Sequence, residues 1–167
     1  MSDDSHVLAA QPSPAVTRAW VGLLRAHQSL IAAIDQELKA NVLPPLGWYD
    51  VLLELSRAER GKLRPYEIEA RTLLAQHNLS RLLDRMEKAN LVQREVFSED
   101  GRGRWVIITD AGRAMQTRIW GVYGSAIERL LGGKLDEAQA DQLAELLAYI
   151  AQDCGDWGPE HAAGASK

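Results

Sequence analysis

The sequence predicts a mainly α-helical chain carrying one small β-hairpin, an α+β domain, and three observations predict it. Apolar residues recur at spacings of three and four in six separate segments, the pattern of amphipathic helices. The period drops to two once, between residues 92 and 108, around an Asp-Gly turn signal. Helix punctuation falls where those segments begin and end. With 167 residues, 46% apolar and 25% charged, the chain is expected to form one globular domain with a sizeable core.

Ser13-Pro14 reads as an N-cap followed by a first-turn proline. Behind it Val16, Trp20, Leu23, Leu24, His27, Ile31, Ile34 and Leu38 form one stripe on a helix over 14–40. Pro44 and Pro45 break that helix, and a second is expected over 47–58 with Val51, Leu52 and Leu55 inward. Residues 59–64 read as a charged loop. Pro65 opens a short third helix anchored by Ile68, and a fourth, over about 75–89, turns Leu79, Leu82, Leu83 and Met86 inward. Val92, Arg94 and Val96 alternate with Gln93, Glu95 and Phe97 as a strand; Trp105 to Ile108 returns. Thr109 caps a long helix over 110–131 that ends at Gly132-Gly133. Asp136 with Gln139 has the spacing of a capping box for a last helix carrying Leu143, Leu147 and Ile150. The ends, 1–12 and 153–167, are expected to be disordered.

Composition excludes several classes. No apolar run approaches the roughly 18 residues of a membrane span, and residues 1–12, with Asp3 and Asp4, do not read as a signal peptide. A single cysteine, Cys154, excludes an internal disulfide framework and fits a reducing cytoplasm. His6, His27, His77 and His161 lack metal-ligand spacing, and no nucleophile elbow, phosphate loop or catalytic carboxylate pair is present. The expectation is a non-enzyme with no cofactor and no metal.

The net charge of −4 argues against indiscriminate coating of nucleic acid, yet the charge is unevenly placed. Residues 57–104 hold 11 Arg and Lys against 8 Asp and Glu, leaving 8 against 15 for the rest of the chain. A basic middle between acidic ends suits a chain whose middle meets a polyanion, although a solvated surface has the same composition. Two short helices followed by a hairpin make a winged helix-turn-helix, whose second helix fits a major groove about 12 Å wide. Opposite its apolar stripe that helix presents His77, Arg81, Asp84 and Lys88, flanked by Gln76, Asn78, Ser80 and Arg85. The hairpin tip carries Asp100, Arg102 and Arg104; arginine there suits a narrow minor groove, while a merely solubilising loop is the alternative.

These residues resemble the multiple antibiotic resistance regulator (MarR) family of bacterial transcription factors. The resemblance rests on Leu46 to Leu52, on Ser80 to Glu87, on Leu91-Val92, on Asp100 with Arg102, and on Thr109 with Gly112. It implies a winged helix-turn-helix DNA-binding domain over 46–112, between dimerisation helices at 13–45 and 113–152. It further implies a cytoplasmic homodimer on a palindromic operator in double-stranded DNA, acting as a repressor. The DNA-contacting set would be Gln76, His77, Asn78, Ser80, Arg81, Arg85, Lys88, Asp100, Arg102 and Arg104. Two positions depart from the family pattern: Ala75 stands where relatives carry a capping serine, and Asn90 replaces a glycine, a mild change because asparagine tolerates the left-handed conformation.

Family members often release DNA when a small aromatic or phenolic anion binds beside the dimer helices. The corresponding candidates are Trp20, His27, Trp48, Tyr49, Arg118, Trp120 and Tyr123, although aromatics at helical spacing are commonly core or interface. The family's peroxide-sensing cysteine lies near the N-terminus, which Cys154 does not match. The competing class is a winged-helix module for protein contacts with neither operator nor ligand, against which Arg81, Lys88, Arg102 and Arg104 count.

Overall fold

Ser13 starts the first helix as its sequence demands: its Oγ accepts a hydrogen bond from the Val16 amide at 3.3 Å, with Pro14 behind it. The structure is a computed structural model that describes residues 11–72, 76–96 and 103–152, with side chains for all of these except Gln76 and His77. Helix α1 spans Pro14–Ala40 and α2 Leu46–Arg57; α3 (Pro65–Arg71) and α4 (Gln76–Lys88) follow, and α5 (Asp110–Ile127) and α6 (Glu137–Ala151) close the chain.

Between α2 and α3 lies an element the sequence reading assigned to a loop. Lys62–Leu63 forms a short strand, β1, paired antiparallel with the returning hairpin strand. The hairpin strands are β2 (Val92–Val96) and β3 (Arg104–Ile108), and the sheet order is β1-β3-β2. Leu63 sits opposite Val106, and Arg94 opposite Val106 on the other side. Phe97, expected at the end of β2, and the tip residues Asp100 and Arg102 lie outside the described residues.

One core joins α2, α3, α4 and the sheet to the C-terminal part of α1 and to α5. Leu38, Val51, Leu52, Leu55, Ile68, Met86, Val106 and Ile119 are fully buried in it. The stripe expected on α4 is in place: Leu79, Leu83 and Met86 are buried and Leu82 half-buried. Glycine is required at Gly112, where a Cβ would overlap the Leu91 carbonyl oxygen. Beside it Thr109 caps α5, accepting from the Gly112 amide at 2.9 Å and donating to the Asn90 carbonyl at 2.8 Å. Asn90 takes φ +59, the conformation that the glycine-to-asparagine departure tolerates.

Two further differences concern α5 and α6. The α-helical part of α5 stops at Ile127 and continues as a wider π turn over Glu128–Gly132, closed by the Gly133 amide donating to the Glu128 carbonyl at 2.8 Å. Asp136 and Gln139 form the capping box of α6, but that helix buries no residue against its own chain.

Candidate nucleic-acid interface

The outward face of α4 follows from its inward one. Because Leu79, Leu83 and Met86 fix the helix against the core, Asn78, Ser80, Arg81, Asp84, Arg85 and Lys88 are all exposed. They do not form a uniform surface. Asp84 is held at 2.6 Å by Arg94 of β2, which also reaches Glu87 at 3.2 Å, so one guanidinium ties the hairpin to α4. The Arg94 side chain is only 18% exposed, which strengthens the pair relative to a fully solvated one. That one guanidinium offsets one of the two negative charges of Asp84 and Glu87, and Arg81 and Lys88 add two positive charges to the face beside the donors of Asn78 and Ser80. Arg85 leans sideways over the Trp48 ring, 5.7 Å from its centroid.

At the base of the hairpin, a cleft of about 610 Å³ separates α4 from the wing; Arg64, Tyr66, Ser80, Arg94 and Arg104 are among its walls. Ser80 and Arg104, both in the expected DNA-contacting set, are among the lining of this one cleft. Arg64 and Tyr66, at the first turn of α3, share this lining and were not among the expected contacts. Of the remaining expected contacts, the side chains of Gln76 and His77 and the whole of Asp100 and Arg102 lie outside the described residues.

The expected ligand residues divide into three places. Tyr49 stacks on Trp120 with ring centroids 5.9 Å apart, and Tyr123 meets both rings edge-on, at 5.3 Å and 5.8 Å. Trp48, the next residue on α2, instead lines a cleft of about 520 Å³ with Lys39, Pro44, Pro45, Arg85 and Met115. Trp20, His27 and Arg118 are exposed and join neither group. Two ring positions adjacent on a helix diverge by about 100°, so Trp48 and Tyr49 were bound to separate.

Beside the Tyr49 cluster stands a group no motif singled out. Burial, with Glu54 one turn further along α2, pushes the Asp50 carboxyl up to about 6. Burial raises the Tyr123 phenol too, with Asp50 adding to it, and burial raises Tyr49. Among the described residues no group of three or more His, Cys, Asp or Glu could hold a metal ion, and no helix is long and apolar enough to cross a membrane.

Among the described residues, six α-helices around a three-stranded sheet, with an exposed face bearing Arg81, Arg85 and Lys88 on the helix that precedes the hairpin, define a winged helix-turn-helix fold. Residues 43–103 match the family model described as MarR family. The chain also superimposes on solved MarR family structures. A DNA-bound MarR family transcriptional regulator from Streptomyces coelicolor aligns with TM-score 0.80 at 24% identity, over 91% of this chain and 94% of the other. AbsC, a MarR family transcriptional regulator from the same organism, gives 0.77 at 24% identity over 87% and 98%. Bordetella bronchiseptica BpsR, whose DNA binding is regulated by 6-hydroxynicotinic acid, gives 0.72 at 19% over 80% and 98%. No curated protein matches the sequence. Residues 43–103 are thus similar to the MarR family, and the chain shares the winged-helix fold of these solved structures.

Proposed function

We propose that the protein is a dimeric DNA-binding repressor that reads a palindromic operator in the cytoplasm and leaves it when a small aromatic anion binds. The observation that carries the reading is the composition of the α4 face. Arg81, Lys88, Asn78 and Ser80 point outward while Arg94 bonds Asp84 and Glu87, the acids on the same helix. Gln76, His77, Arg85, Asp100, Arg102 and Arg104 complete the proposed DNA-contacting set, with Arg64 and Tyr66 added from the cleft at the wing base. The two-fold arrangement is supported by apolar surface that one chain leaves uncovered: Val16, Trp20 and Leu24 on α1, and Leu143, Leu146 and Ile150 on α6. No step of this reading is catalytic.

The ligand site is better supplied by the Trp48 cleft than by the Tyr49 cluster. Lys39 and Arg85 stand in that cleft among apolar walls with no acid in its lining, whereas Asp50, a carboxyl that repels an anion, acts on both Tyr49 and Tyr123, with Arg57 acting on Tyr49 alone. Because the cleft spans the end of α1, the end of α4 and Met115 of α5, an occupant would bias the spacing of the recognition helices.

The test is fluorescence anisotropy on duplex from upstream of the protein's own gene, beside a shuffled duplex of equal length at one salt concentration. A preference of about 10³-fold or more supports a sequence-reading regulator. Equal weak binding to both, repeated across a genomic selection, favours a protein-interaction module instead.

A further inference from the structure

The strand that sequence reading missed creates a second basic surface. β1 places Lys62 opposite Ile107, so that Lys62 shares a sheet face with Trp105 two residues along β3. The Lys62 Nζ lies 4.8 Å from the Trp105 ring centroid, and the Arg64 guanidinium carbon 5.1 Å from it. Arg60, with its side chain 78% exposed, and exposed Arg71 stand around the same ring in a cleft of about 410 Å³. The face is continuous with the interface already described, because Arg64 touches Trp105 on one side and lines the cleft with Ser80 and Arg104 on the other.

We propose that this outer face of the sheet, from Arg64 through Lys62 to Arg60 and Arg71, holds the phosphate backbone of duplex DNA flanking the site that α4 and the wing read. The inference rests on the DNA-binding reading above and extends it. Charge complementarity selects the occupant: in a chain of net charge −4, this face gathers Arg60, Lys62, Arg64 and Arg71. The acids near them are Glu59 and Glu67 in the cleft, Glu69 on the Arg64 side, and Glu95, which sits opposite Trp105 on the far strand. Glu67 is occupied in accepting from the Arg64 amide at 2.7 Å, and Glu59 lies 3.9 Å from Arg60. Stacking on Trp105 holds the Lys62 and Arg64 side chains in place beforehand, which lowers the entropy lost when they meet phosphates. Contacts of this kind position a duplex and carry no base preference.

The experiment compares a duplex of about 20 base pairs spanning both half-sites with the same site extended by about 10 base pairs at each end. Wild type should bind the longer duplex several-fold tighter, with a log–log salt slope steeper by about one to two units. Lys62→Ala with Arg71→Ala should abolish both gains while affinity for the short duplex stays within about twofold. Arg71→Gln alone, at an exposed position, should remove part of the gain and guards against a folding effect of losing the Lys62 stack. A flank gain that survives in the double variant, or no gain in a wild type that binds the short duplex specifically, overturns the inference alone. Failure of wild type to prefer either duplex over shuffled DNA overturns the DNA-binding reading, and this inference with it.

Discussion

Leu52, Leu55, Ile68 and Met86 of the winged lobe are fully buried in the shared core, whereas Val16, Trp20, Leu146 and Ile150 on the flanking helices stand 54–60% exposed. Both regions are helical and amphipathic, and it is the flanking α1 and α6 that carry side-chain caps while α2 has none, so local sequence quality does not explain the contrast. They differ in what covers the apolar face. The lobe is covered by the sheet, its three short helices, α5 and the C-terminal part of α1, while α6 and the N-terminal part of α1 expose theirs. Helix propensity and capping alone are small terms, and most helical stability comes from tertiary packing. The flanking helices therefore need a second surface that the lobe does not.

The largest effect expected from this contrast is in the lobe. Leu52→Ala removes a fully buried side chain and should cost about 2–5 kcal/mol. The loss should appear as a lower denaturant midpoint that does not depend on protein concentration. A cost that vanished as the protein was concentrated would mean that the lobe, too, depends on assembly.

At the seam between the two regions, Asp50 of α2 faces Tyr123 of α5 and should respond to pH. Its folded value of about 6 lies above the ordinary carboxylate value of 3.8, so folding disfavours the charged form. The penalty is complete above about pH 7 and absent below about pH 4, so stability should rise as pH falls through 6. The total is on the order of 3 kcal/mol at most. Asp50→Asn removes the charge, and should raise the melting temperature at pH 7.5 while flattening the profile between pH 5 and 7. A variant that keeps the wild-type slope there would assign the titration to another group.

Much of this contrast was legible in the sequence, and the illegible parts share one physical origin. Ser13-Pro14, Thr109 and the Asp136–Gln139 pair announced three helix starts because a cap is a local hydrogen bond within three residues. Leu79, Leu82, Leu83 and Met86 announced the face of α4 by spacing alone. β1 went unseen because two residues, Lys62 and Leu63, carry no period, and what makes them a strand is β3, more than 40 residues later. The Arg94 clasp on Asp84 was equally hidden, since alternation in β2 says which side Arg94 takes but not which helix lies there. Trp48 and Tyr49 were grouped as one pocket by composition, where helix geometry separates them. Non-local pairing, and not any weakness of local signal, marks the limit.

Assembly should give the next effect. Trp20→Ala and Leu146→Ala each replace an exposed apolar residue with the best helix former, so the isolated chain loses little. If a second copy covers these stripes, each change should weaken dimerisation by about tenfold or more, or about 1.4 kcal/mol, in sedimentation equilibrium. Dimerisation unchanged by both would move the interface elsewhere and leave the exposed stripes without a partner.

The smallest effect separates the regions most finely, because it compares the same device in each. Thr109 makes two hydrogen bonds, at 2.9 Å to the Gly112 amide and 2.8 Å to the Asn90 carbonyl, and the second ties α5 to the turn after α4. The Ser13 side chain accepts one, from the Val16 amide at 3.3 Å, at an exposed helix end. Thr109→Ala should cost about 1–2 kcal/mol. Ser13→Ala should cost about 0.5 kcal/mol or less in dilute protein, since fraying of an exposed first turn uncovers nothing that was buried. When the N-terminal part of α1 is covered by a partner, that fraying breaks packing as well, so the Ser13→Ala cost should grow with protein concentration while the Thr109→Ala cost does not. Thermal melts of both variants over a hundredfold range of concentration would show it, and equal concentration dependence would erase the division between a lobe covered by its own chain and its dependent helices.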